Sequence, residues 1–370
     1  KLTKFIYRQE DEPVLNYLND DGVKIEPECY YPIIPMVLVN GAEGIGTGFS
    51  TSIPSYNPID LIKNIYNRMD NKPLKELTPW YKNFNGKNIK IDDNTYDVYG
   101  EYEILDSNRI IVKELPLGLW TTPYKEYLET IQYDSDSKKN VIVGFTDNNT
   151  DERVYFVITF PDNKLHLYQN NDTIESKLKL VKKLKTSNMN LFDESGTINT
   201  FDTVNDIFNM WYDIRLKKYD DRKSYLIGKI GNELDLLKYK ALFIKYVLDE
   251  KIVVFRQKKQ AIIDRLVELE FPQLSSSDEE KSYDYITNIP LFNLTLEKIE
   301  ELNNKLNDKE EELEYVKVTT PIEFWKNELK EFEDLYKKWY KEKCDDFNDS
   351  ITGNSKITKL NKKTSLKKKK

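Results

Sequence analysis

The sequence has few of the residues that build metal centres and disulfide frameworks. Its two cysteines, Cys29 and Cys344, are far apart and form no Cys-x-x-Cys pair, and its one histidine is His166. Structural zinc sites take their ligands from closely spaced cysteines and histidines, and disulfide scaffolds need several cysteine pairs. The sequence therefore argues against both classes, and its cysteine usage favours a reducing compartment.

Long apolar runs and clusters of chemically active side chains are missing as well. No apolar run approaches the ~20 residues that a membrane-spanning helix needs. His166 lies in an alternation of polar and apolar residues that predicts a surface strand, and no second ligand or base is nearby in sequence. The acid pairs Asp92 with Asp93 and Asp345 with Asp346 fall in predicted loop or tail segments. These residues indicate no metal site.

Charge and hydropathy are typical of a chain with solvent-exposed helices. A length of 370 residues favours two or three domains, and 32% charged residues with a mean hydropathy of −0.67 suit long solvated helices. The net charge of −7 argues at first against a nucleic-acid partner. Lysine, however, is concentrated in residues 177–185 and 362–370. A local basic stripe can bind phosphate because salt screens distant charges.

Glycine is uncommon except in one loop. Four of the 13 glycines lie at positions 41, 44, 46 and 48, after an apolar run, residues 33–39, that we interpret as a strand. Ile45 stands in the middle of this loop. Three interpretations are open: a phosphate cradle for a nucleotide, a tight turn that buries Ile45, or an apolar wedge inserted into DNA. The spacing lacks the Gly-x-Gly-x-x-Gly and Gly-Lys-Ser/Thr patterns of nucleotide loops, which weakens the first interpretation.

Helical periodicity dominates the second half of the chain. Apolar residues recur at steps of three and four in residues 204–214, 227–248 and 299–316, where Lys309 takes one apolar position. Such heptad seams predict long helices packed as an antiparallel coiled coil, joined by a small helical cap.

The first half predicts mixed structure. Residues 60–69 have the apolar face of a helix, whereas residues 99–105, 109–112 and 154–160 alternate or are β-branched, as in strands. Residues 346–370 lose apolar periodicity and predict a disordered tail. The fold class is therefore α+β.

Several segments, in order along the chain to about residue 339, resemble one known family. They are EPECYYPIIPMVLVNGAEGIGTGFSTSIP (26–54), WYKNFNGK (80–87), VKELPLGLWTTPYKE (112–126), TSNMNLFDESG (186–196), FDTVNDIFNMWYDIRLKKYDDRK (201–223) and YDYITNIPLFNLTLEKIEEL (283–302). Together they resemble DNA topoisomerase II of the eukaryotic or large-DNA-virus type, a type IIA topoisomerase. The chain would be the C-terminal part of its DNA-binding and cleavage core.

This resemblance implies a domain division. Residues 1–57 would end a winged-helix region and hold a DNA-bending loop, and residues 58–200 would form a mixed α/β tower domain. Residues 201–345 would be the coiled-coil arms of an exit gate, with the cap at about residues 242–294. Residues 346–370 would be the lysine-rich tail.

The resemblance also implies DNA-contacting residues. It assigns the intercalating wedge that bends DNA to Ile45. It places a backbone-binding segment at ten positions: Lys179, Leu180, Val181, Lys182, Lys183, Leu184, Lys185, Thr186, Ser187 and Asn188. Ammonium and hydroxyl groups bind phosphate oxygens without reading base sequence. Without the resemblance, the lysine run would be interpreted as a solvated face.

The implied activity is ATP-dependent passage of one duplex through a transient double-strand break in another, which relaxes, decatenates and unknots DNA. The chain would bind and bend double-stranded DNA and form a homodimeric exit gate, with no membrane partner. The family's nucleophilic tyrosine, magnesium site and ATPase domain lie upstream of the position matching Lys1. We therefore expect a fragment without catalytic, metal or cofactor residues, whose parent uses Mg²⁺ and ATP. The expected location is the nucleus, or a viral factory or virion if the source is viral.

Two other functions share these features. A non-catalytic coiled-coil scaffold could bind DNA through the same basic loop, and it would lack an upstream Arg-Tyr motif and acidic magnesium site. A nucleotide-binding protein that used the glycine loop would be protected by ATP from thermal unfolding. We expect no such protection.

Overall fold

The computed structural model of the chain describes residues 2–132, 141–151, 153–275 and 281–351, with side chains described up to residue 344. Residues 346–351 of the predicted disordered tail belong instead to a helix that ends at Ile351, and its residues 352–370 lie outside the described residues. None of the helices in these ranges has the length and apolar character needed to cross a membrane.

Helices occur along the whole described chain. The α-helices are α1 (Thr3–Ile6), α2 (Met36–Asn40), α3 (Pro58–Met69), α4 (Thr121–Gln132), α5 (Lys164–Asn170), α6 (Ile174–Lys177), α7 (Val204–Leu248), α8 (Lys259–Glu268), α9 (Asp284–Thr287), α10 (Leu296–Val318) and α11 (Pro321–Ile351). Two 3-10 helices span Gln9–Val14 and Leu291–Asn293.

All described strand pairs are antiparallel. The strands are β1 (Tyr17–Asp20), β2 (Val23–Pro27), β3 (Ala42–Ile45), β4 (Ser50–Ile53), β5 (Lys87–Asp92), β6 (Thr95–Tyr99), β7 (Glu101–Ile104), β8 (Arg109–Glu114), β9 (Gly144–Asp147), β10 (Phe156–Thr159), β11 (Val181–Lys185), β12 (Met189–Phe192) and β13 (Ile198–Phe201). Their order is β7-β8-β10-β9 in the largest sheet and β11-β6-β5 in the next, and β1-β2, β3-β4 and β12-β13 form hairpins.

The chain divides into two compact units. The first comprises the described parts of Lys1–Ile6, Ile34–Tyr212 and Leu329–Lys370, and the second comprises Tyr7–Ile33 and the described parts of Asp213–Glu328.

The core of the first unit lies on one face of the largest sheet. Ile110 and Val112 of β8 and Phe156 of β10 are fully buried, because alternate residues of a strand point to the same face. Tyr124 and Leu128 of α4 cover them, and the rings of Tyr124 and Phe156 lie 5.2 Å apart. The apolar face of α4 thus closes this core.

Helix α3 confirms the helix predicted at residues 60–69. The Asn57 side chain accepts a hydrogen bond from the Ile59 N–H at 2.9 Å, and Pro58 occupies the first helical turn. This cap and proline explain where the helix begins.

Two strand predictions were wrong. The apolar run at residues 33–39 forms helix α2 from Met36 onward, with Ile34 buried before it. A short apolar run fits a buried helix as well as a buried strand. His166 lies on helix α5, not on a surface strand.

In the second unit, α7 and α10 run antiparallel. Ala241 and Ile244 of α7 pack with Leu302 of α10 in one buried cluster. Towards the start of this part of α7, the Lys223 ammonium donates to the Lys317 and Thr319 carbonyls, each at 2.9 Å. The later part of α7 thus contacts the earlier part of α10, and the earlier part of α7 contacts the end of α10. This is the antiparallel packing that the heptad seams predicted.

A buried ion network ties three segments of the second unit together. Arg215 of α7 contacts Asp11 at 2.7 Å, and Arg222, further along the same face of α7, contacts Asp11 at 3.2 Å. Arg222 also hydrogen-bonds Glu328 of α11, and the Tyr219 hydroxyl donates to Glu328 at 2.6 Å. Because the charges are mutually paired, they are tolerated where water is excluded.

The structure confirms the predicted fold class, a mixed α/β part with long helices, of which α7 has 45 residues. The domain boundaries implied by the resemblance stay predictions.

Candidate nucleic-acid interface

The glycine loop forms the tip of a β-hairpin. Ala42 pairs with Ile53 at one end of β3 and β4, and Ile45 pairs with Ser50 at the other. Beyond this pair, the Gly46 N–H donates to the Phe49 carbonyl at 2.8 Å. A nucleotide-binding glycine loop leads from a strand into a helix, so a hairpin lacks that context.

Two of the four loop glycines are required by backbone geometry. Gly48 has a φ of +83°, and Gly41 has a φ of +70° with the Ile53 carbonyl only 2.7 Å from where a β-carbon would lie. Side chains at these positions would be strained. Around Gly44, by contrast, a β-carbon would meet no described atom within 4 Å. The backbone beside Ile45 is thus bare and accessible.

Ile45 is 94% exposed at this tip. The interpretation of an ordinary turn that buries Ile45 in a core is therefore wrong. A β-branched side chain gains nothing from such exposure within the chain.

A second hairpin supports the first. The Ser52 N–H donates to the Asn188 carbonyl at 2.7 Å, and the Asn188 amide donates to the Ser50 hydroxyl at 2.8 Å. The Asn190 side chain of β12 donates to the Ser50 carbonyl at 2.7 Å, and its oxygen accepts from the Thr200 hydroxyl of β13 at 2.6 Å. These bonds hold the β3–β4 hairpin against β12 and β13.

The turn of the second hairpin is ordered by one carboxylate. Asp193 accepts hydrogen bonds from the Ser195 hydroxyl at 2.6 Å, the Thr197 N–H at 2.9 Å and the Asn199 amide at 2.9 Å. These bonds, that from Ser195 first, lower the pKa of Asp193 to about 2. The carboxylate is therefore ionised and engaged throughout the neutral pH range.

An apolar groove of about 420 Å³ lies between the two hairpin tips. Its walls include Ile45, Phe49, Phe192 and Ile198, and Phe192 pairs directly with Ile198 across β12 and β13. Phe49 is 53% exposed and Phe192 68% exposed. Exposed apolar surface of this kind is typical of a contact surface.

Half of the predicted backbone-binding segment, Val181–Lys185, forms the edge strand β11. Lys182, Lys183, Lys185 and Ser187 are exposed, and Val181 and Leu184 are half-buried. Lys182 and Lys183 pair with adjacent positions of β6 and so lie on opposite faces of the sheet. The lysines of β11 therefore do not form one stripe: Lys182 lies on one face, and Lys183 and Lys185 lie on the other.

Some of the ten predicted positions serve packing. Leu180 is fully buried in the core beside β8 and β10, and Thr186 is 4% exposed. The exposed Lys179 lies with Nζ 4.0 Å from the centre of the Tyr127 ring, and the Lys182 ammonium donates to the Gly118 carbonyl at 3.4 Å.

The last predicted position links the two parts of the site. Asn188 follows β11 and makes both bonds to the β3–β4 hairpin described above. The sequence resemblance named Ile45 and Asn188 separately, and the structure brings their segments into contact through Ser50 and Ser52.

Comparison with known proteins identifies the family. Residues 1–330 match the family model for the A-type subunit of DNA gyrase/topoisomerase IV. The chain belongs to this family. The prediction of a type II topoisomerase is thereby confirmed.

Family members of the eukaryotic and viral kind match nearly the whole chain. DNA topoisomerase 2 of Acanthamoeba polyphaga mimivirus is 35% identical over 428 residues, which cover 99% of this chain and 34% of that protein. DNA topoisomerase 2-alpha of Mus musculus is 35% identical over 376 residues, 93% of this chain and 24% of that protein. The chain thus spans about a third or less of these relatives.

A solved family structure has the same fold. The crystal structure of the Plasmodium falciparum topoisomerase II DNA-binding, cleavage and re-ligation domain superposes with a TM-score of 0.79 at 33% identity. The match covers 96% of this chain and 50% of that one.

Sequence reasoning missed the residues that orient the topoisomerase hairpin. Asn190, Thr200 and Phe192 were not singled out, although they lie within or beside the segments that carry the family resemblance. The signal was weak, since asparagine and threonine are common in turns and a lone phenylalanine usually marks a core.

Proposed function

We propose that the chain is the DNA-bending and exit-gate part of a type IIA topoisomerase, which passes one duplex through a transient double-strand break in another. The family match and the similarity to topoisomerase 2 proteins support the parent activity. Relaxation, decatenation and unknotting of DNA are the expected outcomes, driven by ATP in the full-length protein.

The observation that carries the proposal is the exposed Ile45 on an anchored hairpin tip. Apolar side chains inserted between base steps unstack them and kink the duplex, at a cost of a few kcal/mol per step. The hairpin that carries such a side chain must therefore be held firmly enough not to bend away from the DNA when the bases are pushed apart. The bonds from Asn188 and Asn190 to Ser50 hold the hairpin from one side, and the glycines beside Ile45 allow close approach.

Backbone phosphates would be held beside this wedge. Lys182, Lys183 and Lys185 on β11 are exposed, and Asn188 connects this strand to the hairpin. Lysine binds phosphate as a mobile point charge, which suits binding without sequence preference.

The exit gate would form from the second unit. The antiparallel α7 and α10 act as arms, and the cap between them exposes Phe292 (92%), Leu291 (56%) and Leu296 (70%). Exposed apolar residues at the end of a rigid arm suit a symmetric contact with a second copy. We propose a homodimer through this surface.

Magnesium and ATP would act elsewhere in the full-length protein. Across the residues that the structure describes, no group of three or more His, Cys, Asp or Glu side chains could hold a metal ion. We propose that Mg²⁺ and the cleavage chemistry belong to other parts of the full-length protein, as the family resemblance implies. We propose that the full-length enzyme works in the nucleus, or in a viral factory or virion if its source is a virus.

The wedge is tested by Ile45→Ala in the full-length protein. Fluorescence transfer across a labelled duplex should report a smaller bend, and Mg²⁺-dependent cleavage should fall in parallel. Because Ile45 is exposed, its replacement should leave the thermal unfolding midpoint unchanged. A bend equal to that of the unaltered protein would remove the wedge from the proposal.

A further inference from the structure

The groove beside Ile45 contains apolar surface that the wedge alone does not explain. Within the described chain, none of the side chains lining the groove is charged. Phe49, Phe192 and Ile198 continue the apolar surface from Ile45 across to the second hairpin. A solvated loop tip would not keep two phenylalanines exposed.

The strand segment that carries Phe192 is fixed by hydrogen bonds on both sides. Phe192 lies two residues after Asn190, so the two side chains share one face of β12. Asn190 is fixed by the Ser50 carbonyl and the Thr200 hydroxyl, and the Phe192 backbone pairs with Ile198. The next residue, Asp193, orders the turn. The backbone that carries Phe192 is therefore held by the same bonds that anchor the wedge, and its ring lines the groove.

The absence of charged side chains from the described groove lining indicates which part of DNA the groove would contact. A phosphate would need cations, which the groove walls lack. An apolar wedge inserts from the minor groove, whose walls are deoxyribose rings that present C–H groups. An uncharged groove continuous with Ile45 is complementary to those sugars, and phosphates beyond them would meet the lysines of β11.

We propose that Phe192 is a second DNA-contacting residue, whose ring covers the deoxyribose faces of nucleotides next to the step opened by Ile45. This inference rests on the proposed function. Ile45 stabilises the kink itself, whereas Phe192 adds contact area to the minor groove once it is open. Phe49 and Ile198 line the same groove and extend this apolar surface.

The two roles predict different responses to DNA flexibility. A mismatched step is cheaper to unstack than a paired one. In the full-length protein, Ile45→Ala should weaken binding to an intact duplex and regain most affinity on a duplex mismatched at the kinked step. Phe192→Ala should weaken binding to both duplexes about tenfold, which corresponds to about 1.4 kcal/mol, because the exposed ring is buried only in the complex.

Matched variants separate contact from folding. Phe192→Leu keeps an apolar side chain and should retain most affinity, whereas Phe192→Gln should behave like Phe192→Ala. Leu167→Ala removes a comparably exposed apolar side chain from α5 in the same unit and should change nothing. Thermal unfolding of each variant checks the fold.

Three outcomes would overturn the inference. Normal binding by Phe192→Ala and Phe192→Gln, with weak binding by Ile45→Ala, would refute the role of Phe192 and leave the proposed function standing. Normal binding by all three variants would refute both. Normal DNA binding by Phe192→Ala with lost self-association in sedimentation would show that the groove contacts another protein copy.

Discussion

Lys309 of α10 and Glu233 of α7 form an ion pair across the two long helices, with Nζ 2.8 Å from Oε2. Lys309 takes an otherwise apolar heptad position, and Glu312 on its own helix lies 2.7 Å away. These hydrogen bonds, that to Glu233 first, raise the pKa of Lys309. A single polar residue in an apolar seam specifies register, so this pair fixes how the arms align.

Reversing the charge of Lys309 should destabilise the arms. Lys309→Glu places a carboxylate opposite Glu233, and since the pair is about a third exposed, we expect a loss of about 0.5–1 kcal/mol. Urea denaturation monitored by circular dichroism measures it. The double variant Lys309→Glu with Glu233→Lys restores an attractive pair and should recover most of the loss. A double variant no more stable than Lys309→Glu would contradict the pairing.

The long helices could be predicted from sequence because their signal is local and repeated. Heptad steps over residues 227–248 and 299–316 determine both the helices and the faces that meet. The segment at residues 33–39 has only one short apolar run, and its helical state depends on burial by distant residues. The ion-pair partner of Lys309 could not be predicted from the sequence either, since Glu233 is one of several acidic residues on α7.

The buried network around Arg222 should contribute strongly to stability. Glu328→Ala removes the acceptor of the Tyr219 hydroxyl and leaves Arg222, which is 5% exposed, with Asp11 as its remaining carboxylate partner. Breaking a buried ion pair from one side costs about 3–5 kcal/mol. Chemical denaturation of the variant should show that loss, while Glu310→Ala, an exposed change on α10, should stay within about 0.5 kcal/mol. A loss below about 1 kcal/mol for Glu328→Ala would show that water reaches the network.

Binding of phosphates by β11 should be limited by strand geometry. Each lysine that meets a phosphate contributes about 0.9 to the slope of log affinity against log salt. Because Lys182 faces away from Lys183 and Lys185, at most two of them meet one DNA surface. Replacing all three with glutamine should therefore lower the slope by about one to two, not about three.

The control for this measurement uses three exposed lysines of the second unit. Replacement of Lys229, Lys245 and Lys258 with glutamine removes the same charge and should leave the slope unchanged. A slope unaffected by the β11 variant would place the strand outside the interface, and a fall of about three would show that the strand twists or detaches on binding.

The DNA site was only partly predictable from sequence. Ile45 and the lysine segment were named by resemblance, and their contact through Asn188 follows from the chain's path between β11 and β12. The alternation that separates Lys182 from Lys183 was not used, because a basic run was interpreted by composition alone. The exposure of Phe192 depends on where the β3–β4 hairpin lies, and no local pattern reports that.

Self-association should depend on the exposed cap residue Phe292. A phenylalanine 92% exposed on the 3-10 helix Leu291–Asn293 gains stability only by burial against another surface. Phe292→Ser should raise the dimer dissociation constant of the chain at least about tenfold, because central aromatic residues at interfaces contribute about 2 kcal/mol or more. Sedimentation equilibrium over a concentration series measures this dissociation constant.

The control replaces an exposed apolar residue far from the cap. Val318→Ser removes a 69% exposed apolar side chain at the other end of α10 and should leave the dissociation constant unchanged. Equal dissociation constants for Phe292→Ser and the unaltered chain would move the gate contact away from the cap.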